Sequence, residues 1–294
     1  MSLRQSIAGY LKDFRGMTVQ PEQIIIGAGT EYLYGLLIQL LGHEAVYAVE
    51  NPGYQKIGKI YRNYQVNWTY IDMDDEGVEV SQLEEKKVDI VHISPSHHYP
   101  TGIVMPISRR YELLGWASKG EGRYIIEDDY DSELRLGGKP IPTLQSIDIS
   151  EKVIYMNTFT KTLASTVRIS YMILPRPLLE QFYQKLSFYS CTVSNFEQYT
   201  LDLFIKEGYF EKHINRLRNY YQNKKNGFLS AIWDSGLHKC VEISGEEAGV
   251  HFLMKLKTEK AEENVIELAK AQGIKLSLSL IHISAPTRLR CISY

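Results

Sequence analysis

Lys161 stands in NTFTKTLASTVRIS (157–170) among three threonines, Thr158, Thr160 and Thr162, seven residues before Arg168. The segment leaves a strand-like run, Val153-Ile154-Tyr155-Met156, and turns. One reading is an exposed loop that is merely basic; the other is an amine held beside a phosphate. Schiff-base chemistry requires a lysine whose ammonium is destabilised by burial or by neighbouring positive charge, so that the neutral amine is accessible. Arg168 could hold a phosphate and supply that charge.

Four further polar clusters follow strand-like runs. GAGTEYL (27–33) opens a helix, where glycines let backbone N–H groups approach an anion and the helix dipole favours negative charge, although tight turns share the pattern. ENPGY (50–54) is a Pro-Gly turn whose Tyr54 is either simply exposed or the face offered to a flat ligand. SPSHHYPTG (94–102) brings polar side chains to a turn; its adjacent histidines point apart on extended chain and lack metal-ligand spacing. IIEDDYDSE (125–133) carries five carboxylates within the seven residues 127–133, on both sides of Tyr130. That cluster admits a solvated acidic turn, a divalent-metal site, or an aspartate keeping a heterocyclic nitrogen protonated, with Arg135 and Lys139 available to neutralise it. Each signal is weak alone. The ordered set of phosphate loop, aromatic plate, hydrogen-bonding turn, aspartate and lysine is strong.

The elements that must position these residues alternate. Ile24-Ile25-Ile26, AVYAVE, VNWTYIDM, DIVHIS, RYIIEDD, KVIYMNT and RISYMILP read as strands, separated mostly by helical stretches such as EYLYGLLIQLL and ISRRYELLGWASK. Leu3, Ile7, Leu11 and Phe14 recur at helical spacing ahead of Gly16. The expectation is an α/β fold: a mostly parallel sheet with helices on both faces, its ligands at the carboxyl ends of the strands. The large unit is expected over residues 1–205. A partial α+β unit follows over 206–276, mainly helical to about Ile232, then GVHFLMKLK as a strand and EENVIELAKAQG as a helix. The 294 residues carry a net charge of −2, which offers no electrostatic case for nucleic-acid or membrane binding by this part. Neither a signal peptide nor a bilayer-spanning run is present in the sequence, so the cytoplasm is the expected compartment. Three scattered cysteines argue against a disulfide framework or a zinc cluster.

The order and wording of these motifs resemble the aminotransferase domain of the MocR/GabR-type (GntR superfamily) transcription regulators, fold type I of the pyridoxal-phosphate enzymes. PSHHYPTG, RRYELLGWA, IIEDDYDSE, VIYMNTFTKTLASTVRISYMILP and AGVH carry the resemblance, which spans residues 3 to about 276. It implies pyridoxal 5′-phosphate as cofactor, with Lys161 forming the internal aldimine. It implies Asp128 at the pyridine nitrogen, Tyr130 and His98 near the phenolic oxygen, and Tyr54 stacked on the ring. Gly29, Thr30, Glu31, Thr158, Thr160 and Arg168 would hold the phosphate. It further implies an amino acid or amine as effector or substrate, a homodimer, and DNA contact only through an N-terminal winged-helix domain that this sequence does not contain.

The sequence departs from the family pattern at Glu31 and His98, where glutamine is usual, at Asn157, Thr160 and Ser170, where glycine, serine and glycine are usual, and at Ser165, where proline is usual. An arginine gripping the substrate carboxylate has no counterpart, and residues 277–294 read as a non-native tail joined to a fragment shortened at both ends, the rival being a half-buried strand on the near-alternation of Leu276, Leu278, Leu280 and Ile283. The expected function is an effector domain forming aldimines with an amino compound; the rival is a free-standing aminotransferase acting between an amino acid and a 2-oxo acid.

Overall fold

The computed structural model describes residues 2–137, 141–245, 249–250, 252–258, 260–274, 277–278 and 289–292. The chain opens with helix α1 (Ser2–Arg15), whose Leu3, Ile7 and Leu11 form one buried stripe, and Gly16 at φ +66° closes it. There follow β1 (Ile24–Gly27), α2 (Thr30–Leu41), β2 (Val46–Asn51), α3 (Gln55–Asn63), β3 (Asn67–Asp74) and β4 (Gly77–Val78). Next come α4 (Val80–Glu85), β5 (Ile90–Ile93), α5 (Ile107–Ser118), β6 (Tyr124–Asp128), α6 (Leu144–Ile147), β7 (Val153–Thr158) and β8 (Ser170–Ile173). The helices α7 (Arg176–Leu186), α8 (Asn195–Lys206) and the 26-residue α9 (Tyr209–Asp234) lead to β9 (Val241–Ser244), β10 (Phe252–Leu256), α10 (Glu262–Ala271), β11 (Ser277–Leu278) and β12 (Leu289–Ile292).

The main sheet has the order β1-β8-β7-β6-β5-β2-β3-β4. Strands β3, β2, β5, β6 and β7 run parallel, whereas β8 is antiparallel to both β7 and β1. Alternation of side chains along a strand divides the core between two faces. Ile25 packs with Leu33, Leu37 and Phe182 from α2 and α7, while its neighbours Ile24 and Ile26 pack with Ile7, Leu11 and Phe210 from α1 and α9. Trp116 and Leu113 of α5 cover Ile125 and Val153 beside them. Fully burying one such side chain contributes about 1.5–3 kcal/mol, so both faces are firmly held.

The reversal of β8 matters for the site. It brings the start of β8 to the edge where β1 and β7 end. Ser170 is paired with Gly27 on one side and with Thr158 on the other. Arg168 therefore arrives at the same edge as the glycine loop and the threonines, though it precedes its strand rather than following it.

The smaller sheet has the order β11-β12-β10-β9, all antiparallel. Loops beside it approach a loop after β5 closely: a Cβ placed on Gly102 would lie 3.2 Å from the Gly245 Cα, and one on Gly249 would lie 2.4 Å from the His97 ring. Of AGVH, Ala248 and His251 lie outside the described residues. Of the suspected tail, 279–288 and 293–294 lie outside them, whereas the backbones of β11 and β12 are paired strands.

Candidate active site

The glycine loop is built for close approach. Gly29, at φ +95°, precedes the first turn of α2, and its N–H bonds the Gly27 carbonyl at 2.9 Å. A Cβ there would sit 2.5 Å from Arg168 Nη2 and 2.9 Å from Glu31 Oε2, so only glycine leaves room for those groups. Arg168 Nη2 donates to Glu31 Oε2 at 2.8 Å, and Lys56 pairs with the other oxygen of Glu31. Across the rung, Ser170 Oγ donates to Thr158 Oγ1 at 2.8 Å, Thr158 and Thr160 hydroxyls lie 3.0 Å apart, and Thr160 donates to the Val167 carbonyl. Gly29, Thr30, Glu31, Thr158, Thr160 and Arg168 thus form one polar edge.

Asp128, the last residue of β6, is 6 % exposed. Its Oδ2 accepts from Tyr34 Oη at 2.6 Å and lies 3.5 Å from His92 Nε2. Burial, and then the Asp128 charge, hold the Tyr34 hydroxyl well above the usual phenol range, so it remains a donor. Tyr61 Oη meets His92 Nδ1 at 2.8 Å; with that hydroxyl as donor, the ring proton sits on Nε2, facing Asp128. The other Asp128 oxygen, Oδ1, is buried and has no hydrogen-bond partner among the described residues.

The other acids of the cluster are engaged. Glu127 meets Arg110 at 3.4 Å and accepts the Leu144 and Gln145 N–H groups. Asp129 is held by Arg15 at 2.7 Å and by Tyr155, whose contributions outweigh burial and lower its carboxyl below the usual range. Asp131 meets His97 Nδ1 at 2.7 Å, and Glu133 accepts from Asn157 at 3.0 Å. The solvated acidic turn is therefore set aside: all four are buried, because arginines from α1 and α5, remote in sequence, reach under the sheet edge. Lys139 lies outside the described residues.

His98 is buried, its Nδ1 2.7 Å from the Thr101 hydroxyl and its Nε2 3.4 Å from Glu50 Oε2. Burial, with His97 beside it, brings its pKa down to about 3, so it is neutral at ordinary pH. Glu50 accepts the Ser94 N–H, and burial raises its carboxyl well above the usual range. The two histidines point apart, to Asp131 and to Glu50. Tyr130 Oη donates to the His97 carbonyl at 2.9 Å. Tyr54 is 53 % exposed and meets Tyr99 edge-on, with ring centroids 6.1 Å apart.

Lys161 is exposed, in the loop 159–169 between antiparallel β7 and β8, so of the two environments considered for it burial is not the one present. Tyr34, Glu50, His92 and Arg15 escaped the sequence reading. Glu50 and His92 carried a usable signal, being ionisable residues inside apolar strand runs. Tyr34 and Arg15 carried none, since each reads as an ordinary helix residue.

The strand order, the reversed β8 and a polar edge joining a glycine loop to a lysine-bearing hairpin define an aminotransferase-like large domain. The chain belongs to the aminotransferase class I and II family, whose model matches residues 1–291. Among curated relatives, it is 42 % identical over 283 residues to the uncharacterized HTH-type transcriptional regulator YdeL of Bacillus subtilis (strain 168), covering 95 % of this chain and 61 % of that one. It is 30 % identical over 276 residues to the probable rhizopine catabolism regulatory protein MocR of Rhizobium meliloti, covering 94 % and 56 %. The chain thus spans about three fifths of the length of these regulators. Among solved structures, a Pyrococcus horikoshii kynurenine aminotransferase in complex with PMP superposes with a TM-score of 0.81 at 26 % identity, covering all of this chain and 75 % of that one.

Proposed function

We propose that this chain is the pyridoxal-phosphate-binding, aminotransferase-like effector domain of a MocR-type transcription regulator, and that it takes an amino acid or an amine. The observation that carries this reading is the buried, unpartnered Oδ1 of Asp128 beside an edge bearing Gly29, Arg168 and the threonine hydroxyls. The residues present fit the cofactor: the open carboxylate oxygen suits a protonated ring nitrogen, and the cleared Gly29 loop with Arg168 suits a phosphate. Asp129 Oδ1 and Glu133 Oε2 are likewise buried without a hydrogen-bond partner, but Asp129 is paired with Arg15 and Glu133 is held by Asn157, whereas Asp128 has no arginine or lysine ion pair among the described residues, which favours it for the ring.

When bound, the cofactor supplies an electron sink. Asp128, fixed by Tyr34 and flanked by His92, would hold the ring nitrogen and favour positive charge there. Tyr54 would offer an aromatic face, and Tyr130 and His98 would lie toward the phenolic oxygen. Lys161 would be the amine that holds the cofactor, and its Nζ, when free, would move a proton at the substrate α-carbon. The regulator reading over a free-standing aminotransferase rests on the relatives, of which YdeL, YhdI, MocR and PdxR all carry regulator names. DNA contact would fall to a winged-helix domain N-terminal to residue 1, and the compartment would be the cytoplasm. A homodimer is supported by the exposed row Phe196, Tyr199 and Leu203 on α8.

Borohydride reduction of the protein incubated with pyridoxal phosphate, followed by peptide mass spectrometry, should place the pyridoxyl group on Lys161; an adduct confined to other lysines refutes the assignment. Coding sequence upstream of residue 1 should specify a winged helix, and its absence would favour the free-standing enzyme. Light scattering that finds only monomer with cofactor fully bound would remove the dimer.

A further inference from the structure

Within the anion cradle of the proposed site, Glu31 is the one acid. Its two oxygens engage Arg168 and Lys56 beside the Gly29 loop. The carboxylate also approaches the space over Gly29, 2.9 Å from where a Cβ would lie. Both of these cations, which would attract an anion here, are thus already facing one belonging to the chain itself. Glutamine would fill the same space and could accept a hydrogen bond from Arg168 without carrying charge.

We propose that Glu31 is an internal counter-anion that weakens phosphate binding at this cradle, and that Lys56, turned from Glu31 toward an incoming phosphate, is a second cationic ligand beside Arg168. The inference rests on the reading of this edge as the phosphate site. Two opposing effects decide its sign. Glu31 could steady the Arg168 guanidinium, but Glu31 is 35 % exposed and Arg168 48 %, and pairs so exposed contribute little order. A full charge about 5 Å from a phosphate dianion, at an effective dielectric near that of a wet surface, weakens binding by roughly tenfold or more. Repulsion wins. Glu31 remains ionised in the relevant range: although burial opposes it, the Lys56 and Arg168 contacts lower its carboxyl below the usual value.

The test compares pyridoxal 5′-phosphate with pyridoxal, which has the same aldehyde and no phosphate, by absorbance titration at two salt concentrations. Glu31→Gln should bind pyridoxal phosphate about tenfold tighter than the wild type, with the gain shrinking at high salt. Pyridoxal affinity should change less than twofold. Lys56→Gln should weaken pyridoxal phosphate severalfold and leave pyridoxal unchanged. If Glu31→Gln binds the phosphate form equally or more weakly, or if pyridoxal gains as much, the inference is overturned. Peptide mapping after reduction separates the two levels: a Lys161 adduct with no gain in Glu31→Gln defeats this inference alone. Absence of that adduct in the wild type defeats the site reading, and the inference with it.

Discussion

Replacing Arg110 by methionine should cost about 3–4 kcal/mol of folding stability at pH 7.5. The side chain is wholly buried on α5, and its guanidinium donates to the carbonyls of Pro95 at 2.9 Å, Met105 at 3.1 Å and Pro142 at 3.1 Å while facing Glu127. Methionine fills much of the volume, so the loss is electrostatic and hydrogen-bonding rather than a cavity. Breaking a buried ion pair from one side costs about 3–5 kcal/mol, because the survivor is left charged and unpaired. Glu127 can escape part of this by taking a proton: burial already raises its carboxyl to about 6, and removing the arginine raises it further. The sign follows. A carboxyl whose folded pKa exceeds its unfolded value binds more protons in the native state, so stability falls as pH rises between those values. In Arg110→Met that window extends upward, and the deficit relative to wild type should be smaller at pH 5.5 than at pH 8 by about 1–2 kcal/mol. Urea denaturation at both pH values measures it. Adding Glu127→Gln should recover part of the loss at pH 8. A deficit under about 1 kcal/mol, or one independent of pH, would refute the reasoning.

Glu133, raised to about 7 by burial and by Asp129 beside it, should make wild-type stability fall by about 3 kcal/mol as pH rises from 4.5 to 7; Glu133→Gln should flatten that slope in urea titrations at pH 5 to 8. Gly29→Ala places a methyl 2.5 Å from Arg168 Nη2 at a positive φ, and should cost about 1–2 kcal/mol in denaturation and lower pyridoxal-phosphate affinity more than tenfold. Asp128→Asn should weaken cofactor binding with little loss of stability. Asp129→Asn should instead destabilise the fold by about 3–5 kcal/mol, because it strands the buried Arg15 charge; a thermal melt paired with a cofactor titration separates the two.

Local pattern carried most of the fold. Ile24-Ile25-Ile26, DIVHIS and KVIYMNT became β1, β5 and β7 within a residue or two, since a buried strand writes its own signature in consecutive β-branched residues. Of the smaller sheet, GVHFLMKLK was legible, narrowed in the structure to Phe252–Leu256, and the near-alternation from Leu276 overlaps β11 (Ser277–Leu278). At the site, residues at strand ends were found and their partners were not. Asp128 was named from its neighbours, but Tyr34 reaches it from a helix 94 residues earlier, and Arg15 reaches Asp129 across 114. No periodicity records such a meeting. A solvated turn stayed among the three readings of the acidic run because Arg15 and Arg110 lie outside any local window. Burial was one of two environments weighed for Lys161, and its exposure follows from a hairpin whose length is visible in the sequence but whose placement is not.

The rung joining Gly27, Ser170 and Thr158 makes the hairpin between β7 and β8 a spacer with a fixed tolerance. Three strands meet there on a lattice whose step is about 3.3 Å, and side chains change face at every step. One residue added to or removed from β8 would therefore turn the Ser170 hydroxyl away from Thr158 and shift Arg168 off the glycine loop in a single event. The loop between α2 and β2, far from that rung, has no such constraint. Insertions and deletions should thus be admitted around residues 42–45 and excluded from 158–170, so that this protein can vary in length almost anywhere on its surface except along the stretch that measures out its own binding edge.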